Sequence, residues 1–267
     1  MDLALDGKTA LVTGSSDGAG VAIATLLAHE GANVIVHGRD RAKAQAVADG
    51  IAGPGRTAIV IADLTDDAAM DGFRDEAISA FGGVDILVNN AGRIGYYEDW
   101  DDVGAADWAA MYDGVALTVV RPVMALREHL VSRGWGRIIN VASAQGVQPF
   151  AMMPDYATAK SAVIALTKSL SKKLDRTGVL VNVICPGIIA TDFIRERLTE
   201  AAKKDGRSTD WADVEQWVLR NELDNPTGRL ARPEDVANLV AFLASDRASY
   251  INGARIMIDG GSVQTIW

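Results

Sequence analysis

Tyr156 and Lys160 stand four residues apart in a stretch that reads as a helix, so they share one face. A free tyrosine has a pKa near ~10 and is a poor base at neutral pH. A nearby ammonium favours the phenolate and brings the phenol toward working range. Such a tyrosine can give a proton to a carbonyl oxygen or take one from an alcohol. Ser143 lies thirteen residues before it, where the apolar run 137–142 ends, and its hydroxyl can hydrogen-bond a developing oxyanion. A Tyr–Lys pair at this spacing is common by chance, and alone it reads as helix surface. The serine at a strand end changes that reading.

A second group lies far upstream, at Thr13-Gly14-Ser15-Ser16-Asp17-Gly18-Ala19-Gly20. Glycines let a backbone turn sharply and approach a pyrophosphate closely. A helix N-terminus adds free N–H groups and a favourable dipole. The spacing is Gly-x-x-x-Gly-x-Gly, and any tight turn can use it, so its weight comes from sitting between a strand (9–13) and a helix (19–30). The next strand (33–37) runs into Gly38-Arg39-Asp40. An acid at such a strand end binds the ribose 2′-hydroxyl of NAD, and an arginine accepts the 2′-phosphate of NADP. Arg39 therefore favours NADP, with NAD as the alternative. Asp40 reads as the N-cap of a helix over 41–51. Asp17 puts a negative charge near the phosphates and counts against NADP. His37 reads as a strand-end residue. The two groups together imply hydride exchange between a nicotinamide and an alcohol or ketone.

The elements that must position these residues alternate. Short, β-branched runs at 9–13, 33–37, 57–61, 86–89, 137–142, 179–185 and 255–258 read as strands, several almost continuously apolar. Helical patterns occupy 19–30, 41–51, 66–81, 105–132 and 155–176. This βαβ rhythm predicts an α/β, Rossmann-like, doubly wound parallel sheet with helices on both faces. No linker or repeat interrupts it, so residues 1–267 read as one domain. Two segments break the rhythm after strand ends, where such sheets bind ligands. One, 93–107, carries Tyr96, Tyr97 and Trp100; the other, 191–227, carries Trp211 and Trp217 and reads as a substrate-binding lid. The plainer reading is that these aromatics pack helices or a subunit contact.

The bulk numbers exclude several classes. The 267 residues are 49% hydrophobic, enough for a large core and against disorder. A net charge of −9 argues against a nucleic-acid partner, which needs a basic face. The single cysteine, Cys185, forbids an intrachain disulfide and fits a reducing compartment; it reads as a buried structural thiol. The acidic N-terminus is no secretion signal, and no stretch reads as apolar enough to span a bilayer, so a cytoplasmic setting without a membrane partner is expected. His29, His37 and His129 show no ligand spacing, so no metal is expected. A Ser–His nucleophile pair is likewise unsupported.

With these residues in hand, the chain resembles the short-chain dehydrogenase/reductase family, single-domain branch. The resemblance rests on Thr13 to Gly20, Asp63-Leu64, Asn89-Asn90-Ala91-Gly92, Ser143, Tyr156 to Lys160, Asn182, Pro186-Gly187 and Thr191. Gly228-Arg229, Arg232-Pro233-Glu234-Asp235 and Asp259-Gly260-Gly261 continue it, in a pattern similar to 3-oxoacyl carrier-protein reductases. It implies a seven-stranded parallel sheet, and dimers or tetramers built through two long central helices. It also implies roles. Asp63 and Leu64 would sit by the adenine, and Asn90, Ala91 and Gly92 beside the cofactor ribose. Tyr156 would be the general acid/base, Lys160 would bind the nicotinamide ribose, and Ser143 would orient the carbonyl. Pro186, Gly187, Ile189 and Thr191 would contact the nicotinamide half.

One departure stands out. The family usually carries an asparagine in the helix before the serine strand, where it holds a water of the proton relay. Val115 occupies that place, and a valine cannot make the bond. Either solvent reaches Lys160 by another route or turnover is impaired, with Thr118 a possible substitute. Gly114 inside that helix costs roughly 1 kcal/mol against alanine and implies a close helix–helix approach. The leading function is a ketone reductase or secondary-alcohol dehydrogenase, with a 3-oxoacyl thioester as one substrate. The competing class is a dinucleotide-binding protein with weak or lost catalysis, acting as sensor or assembly partner. A nucleotide-sugar epimerase is disfavoured by the short tail after Asp259.

Overall fold

The computed structural model describes residues 2–95, 99–221 and 223–265. Seven parallel strands form one sheet in the order β3-β2-β1-β4-β5-β6-β7. They are β1 (Thr9–Val12), β2 (Asn33–Gly38), β3 (Thr57–Ile61), β4 (Ile86–Asn89), β5 (Gly136–Val141), β6 (Val179–Pro186) and β7 (Arg255–Ile258). The helices are α1 (Gly18–His29), α2 (Arg41–Gly50), α3 (Met70–Phe81), α4 (Ala105–Tyr112), α5 (Thr118–Ser132), α6 (Pro154–Lys173), α7 (Asp192–Lys204), α8 (Trp211–Asn221) and α9 (Pro233–Ala244).

Strand residues alternate between two cores, as the two-residue period requires. Ala10, Val12, Val34 and Val36 face a layer with Ile23, Leu27, Val236 and Val240 of α1 and α9. Leu11 and Ile35 face the opposite layer with Phe73 of α3 and Leu126 and Leu130 of α5. Burial on both faces explains why the strands read as continuous apolar runs. Because the sheet is parallel, every strand delivers its following loop to one rim. The strand order reverses between β1 and β4, which opens the crevice there.

Two elements differ from expectation. The helix expected over 105–132 is broken: a π-helical turn, Asp113–Leu117, separates α4 from α5. Gly114 sits in that turn, and the neighbour is a loop rather than a helix. The Arg93 N–H donates to Gly114 O at 2.8 Å, and a Cβ at Gly114 would lie 3.0 Å from the Arg93 Cβ. The 105–132 stretch is also long and apolar enough to cross a membrane by length and composition, contrary to the sequence expectation. Half of its apolar window is buried inside the fold, where it covers the sheet. Lastly, α9 is a helix that the sequence reading did not contain.

Candidate active site

The rim gathers the predicted residues because most follow a strand, and α6 brings Tyr156 and Lys160 beside the turn that follows β5. The loop from Gly14 to Gly20 leaves β1, and Asp17 ends it as the N-cap of α1, its carboxylate accepting from the Gly18 N–H at 2.6 Å. Gly14 has φ +63, and a Cβ there would lie 2.8 Å from Ala91 Cα. A Cβ on Gly20 would overlap Gly14 O and approach the Asn90 Nδ2 to 2.7 Å. Asn90 and Ala91 leave β4 beside this loop: both N–H groups donate to Thr13 Oγ1, at 3.0 and 3.1 Å, and Asn90 Nδ2 donates to Thr13 O and Gly14 O. The cradle therefore fits a pyrophosphate, since its glycines leave room that side chains would fill and α1 turns its N-terminus to it.

At the flank of the cradle, Arg39 is exposed beyond β2. Asp40 caps α2, accepting from the N–H groups of Ala42 and Lys43 at 2.8 and 3.1 Å. Asp63 follows β3 and is held below the usual carboxylate range by its bonds to Thr65, with Arg39 and Arg121 adding to the effect. Leu64 is buried beside it. Sequence reasoning missed His37, which is buried and accepts the Gly14 N–H on Nδ1 at 3.0 Å.

Ser143 leaves β5 and caps a short 3-10 turn, accepting from the Gln145 N–H at 3.2 Å. That turn crosses α6 closely: a Cβ at Gly146 would lie 2.8 Å from the Lys160 carbonyl carbon, and Ser161 Oγ donates to Gly146 O at 2.8 Å. Tyr156 and Lys160 do share one face of α6, and Ser143 hydrogen-bonds the Tyr156 phenol. Lys160 donates to Val141 O at 2.9 Å, which draws it back over β5. Its ammonium lies 5.7 Å from the Tyr156 ring centre. Burial pushes Lys160 down to about 8, countered by the neighbouring Cys185. Burial raises the Tyr156 phenol, and the bond from Ser143 pulls the other way. The net direction for Tyr156 is upward, opposite to the shift expected from a nearby ammonium, because the desolvated phenol loses more than its neighbours return.

Two further neighbours frame the phenol. A Cβ at Gly95 would lie 2.9 Å from the Tyr156 Cβ, so the loop after β4 runs flat against that side chain. Met153, at the N-cap of α6, has φ +61, a left-handed backbone that costs a non-glycine residue roughly 1–2 kcal/mol. Cys185 is buried below the serine and its thiol is pushed up to about 11, as a structural cysteine's would be.

The remaining predicted residues follow β6. Pro186 ends the strand and Gly187 abuts Asp259, where a Cβ would lie 3.2 Å from Asp259 Cα. Ile189 pairs with Ala231, and Thr191 caps α7, accepting from the Ile194 N–H at 3.3 Å. Gly92 opens toward Lys160, with 3.6 Å between a Cβ there and Nζ. Trp211 and Trp217 pack into a small satellite core with Ala190, Val218 and Leu230, under Arg195 and Arg207 respectively. Trp211 also lines a surface cavity with Arg195, Glu196, Thr199 and Glu200. Trp100 is 65% exposed against Trp108, and Tyr96 and Tyr97 lie outside the described residues. Among the described residues no cluster of His, Cys, Asp or Glu could hold a metal.

A family model described as short chain dehydrogenase matches residues 8–202. The chain is a member of that family. The family's oxidoreductases act on CH–OH and C=O groups with NAD(P), and this short-chain dehydrogenase is one of them. The chain is 37% identical to D-beta-hydroxybutyrate dehydrogenase of Cupriavidus necator, over 97% of this chain and 99% of that one. It is 38% identical to the 3-oxoacyl-(acyl-carrier-protein) reductase FabG of Vibrio cholerae, over 96% and 98%. Among solved structures it superposes on L-sorbose reductase from Gluconobacter frateurii, complexed with NADPH and L-sorbose, with TM-score 0.93, 34% identity and full coverage of both chains.

Proposed function

We propose that this chain reduces a ketone with NADPH, with NADH as the alternative, and that Tyr156 is the acid that completes the reaction. The carrying observation is the meeting, on one rim, of the half-buried Ser143 and Tyr156 and the buried Lys160 with a glycine cradle flanked by Arg39. The cofactor supplies a hydride to the carbonyl carbon when bound. Tyr156 Oη gives its proton to the carbonyl oxygen, so the ketone leaves as an alcohol. Ser143 Oγ steadies that oxygen. Lys160 holds the nicotinamide ribose and, when charged, steadies the phenolate left on Tyr156 until a proton from solvent restores the phenol. A phenol held above its ordinary range is protonated at neutral pH, which suits the reductive direction.

In the same reading the cradle from Gly14 through Ser15, Ser16, Asp17, Gly18 and Ala19 to Gly20 takes the pyrophosphate. Arg39 takes the 2′-phosphate, and Asp63 and Leu64 flank the adenine. Asn90, Ala91 and Gly92 serve the ribose side, and Pro186, Gly187, Ile189 and Thr191 the nicotinamide half. Residues 191–227, with α7 and α8, form a lid within one catalytic unit spanning the chain. A compact polyhydroxy ketone is the favoured substrate class, supported by the end-to-end match to L-sorbose reductase; a 3-oxoacyl thioester is the second, supported by the FabG relative. A homodimer or homotetramer across α5 and α6 fits the exposed Met124 on α5. A cytoplasmic setting fits the single buried cysteine.

Val115 motivates a second reading, a dinucleotide-binding protein with weak turnover. Its side chain is fully buried, and the Thr118 hydroxyl donates to Gly114 O and Val115 O, so it is no substitute for the asparagine. Titration with NADPH and NADH, followed by a panel of ketoses and 3-oxoacyl thioesters read by cofactor absorbance, separates the two. Turnover of one ketone class supports the reductase. Tight binding with no turnover across the panel supports the binding protein.

A further inference from the structure

The glycine loop is fastened to β2 by one imidazole. His37 is 3% exposed. Its Nδ1 accepts the Gly14 N–H at 3.0 Å, and its carbonyl accepts the Ser15 N–H at 2.9 Å. Its own N–H donates to Ser15 Oγ at 3.0 Å, and that hydroxyl donates to Val12 O at 2.6 Å. The edge contact with Phe73, at 5.6 Å between ring centres, fixes the plane of the imidazole. Beyond it, Gly38 runs so close to Ser16 that a Cβ would lie 2.9 Å from the Ser16 Cβ. The residue after that is Arg39. One short span of β2 thus grips the first turn of the cradle and carries the arginine that reads the adenosine phosphate.

The ring state is determined by this geometry. An Nδ1 that accepts an N–H carries no proton, so the proton sits on Nε2. Burial pushes the imidazole down to about 4, against the opposing pull of the Ala62 backbone and Asp63, while Arg39 adds to the lowering. The acceptor is therefore present at every pH at which the protein would work.

We propose that His37 is a positioning residue for the dinucleotide: through Gly14 it holds the pyrophosphate cradle in register with Arg39. This rests on the cofactor reading above. A residue that only fills the core could be replaced by any ring of similar size. A residue that positions Gly14 must keep an acceptor two bonds beyond its Cβ. Without one, the Gly14 N–H finds another partner by moving the loop, and the cradle must be rebuilt when NADPH binds.

The test uses His37→Phe, which keeps a ring and removes the acceptor, and His37→Asn, which loses volume but offers Oδ1 at the Nδ1 place. Native and variant proteins are titrated with NADPH by fluorescence and with 2′-AMP, which lacks the pyrophosphate, by calorimetry. Melting temperatures are recorded alongside. The expected result is an NADPH affinity about tenfold lower in His37→Phe, equivalent to about 1.4 kcal/mol, with 2′-AMP within about twofold of native. His37→Asn should recover NADPH binding to within about threefold while melting below His37→Phe. Native NADPH affinity in His37→Phe, equal weakening of 2′-AMP, or affinities that merely follow the melting temperatures would each overturn the inference. A native protein that binds neither NADPH nor NADH would overturn the cofactor reading along with it.

Discussion

Gly20→Ala adds one methyl group, and the structure fixes where it must go. Gly20 lies in the first turn of α1, so the change should gain about 1 kcal/mol of helix propensity. Its new Cβ, however, would overlap Gly14 O and stand 2.7 Å from both Asn90 Nδ2 and Ser15 Cα. None of these is the free end of a flexible side chain. The Asn90 amide is held by Thr13 O at 3.0 Å and Gly14 O at 3.1 Å. Overpacking costs roughly 1–3 kcal/mol, and weakening two hydrogen bonds costs roughly 0.5–1.5 kcal/mol each. The net is a loss of about 1–5 kcal/mol, so the clash outweighs the propensity. At about 2–4 °C per kcal/mol, a mid-range loss of about 3 kcal/mol lowers the melting temperature by about 6–12 °C. NADPH affinity should fall at least about tenfold, because the displaced atoms form the cradle. Gly72→Ala is the control: it makes the same chemical change in α3, where nothing lies within 4 Å. It should gain about 0.5–1 kcal/mol and leave NADPH binding unchanged. Calorimetry and a cofactor titration read both. A Gly20→Ala protein that melts at or above the native temperature, or binds NADPH as the native protein does, would refute the close-approach reasoning.

Arg39→Ala should weaken NADPH at least about tenfold and NADH less than about threefold, with the difference shrinking at high salt because Arg39 is exposed; equal losses for both cofactors sink the 2′-phosphate role. Tyr156→Phe should cut turnover by roughly two to four orders of magnitude while leaving NADPH affinity within about twofold, since general acid catalysis is worth that much; full activity on a verified substrate would show that another group moves the proton. Lys160→Met couples function to stability. Burial holds the lysine at about 8 in the fold, against roughly 10.4 when unfolded. Between those values the unfolded chain binds a proton that the folded chain does not, so native stability rises with pH through that window and the charged lysine costs most below about pH 8. The variant should therefore exceed the native protein by up to roughly 3 kcal/mol at pH 7, lose that advantage above about pH 10.4, and show no turnover. Urea unfolding at pH 7 and pH 10.5 measures it, and an advantage that does not change with pH contradicts the assignment.

The strands were legible because burial on both faces makes each one a short apolar run, and the parallel order followed from their alternation with helices. Once the sheet is parallel, the rim follows, and the residues after six strands come together without further assumption. Tyr156 and Lys160 were readable because their relation is local to one helix. Other relations are not local. His37 looks like any strand residue until β1 and β2 pair and bring it beneath Gly14. Gly95 and Gly146 matter only because their loops run flat against α6, and no spacing along the chain records that. The omission of α9 has a different origin. Pro233 at its start, Glu234 and Asp235 in its first turn and its buried Val236, Ala237, Val240 and Ala241 are ordinary helix signals. They follow a segment already assigned to the lid, and the absence of a strand between them hid the boundary. The phenol's upward shift could not be read from the sequence either, since it depends on how much solvent the folded loops exclude.

The π turn bears on what Val115 means. Gly114 makes the turn possible by accepting the Arg93 N–H and admitting the Arg93 side chain, and neither contact requires an amide side chain at position 115. The backbone departure from a regular helix therefore forms without the polar side chain expected there. The valine itself packs with Met111, Val119, Ala159 and Val163, which joins the turn to the helix that carries Tyr156 and Lys160. Hydrocarbon at this place stiffens the support of the Tyr–Lys face, whereas an unpartnered amide in the same fully buried space would cost roughly 1–3 kcal/mol. On the proposed mechanism, a valine at this place bears on how Lys160 exchanges its proton and leaves the Ser143–Tyr156–Lys160 arrangement standing. Ser143, Tyr156 and Lys160 remain bonded or packed to one another and to β5. On the proposed mechanism the expected consequence is a slower proton return after each turnover, with cofactor binding and the placement of the phenol unchanged, and binding and turnover measured on the same preparation test it.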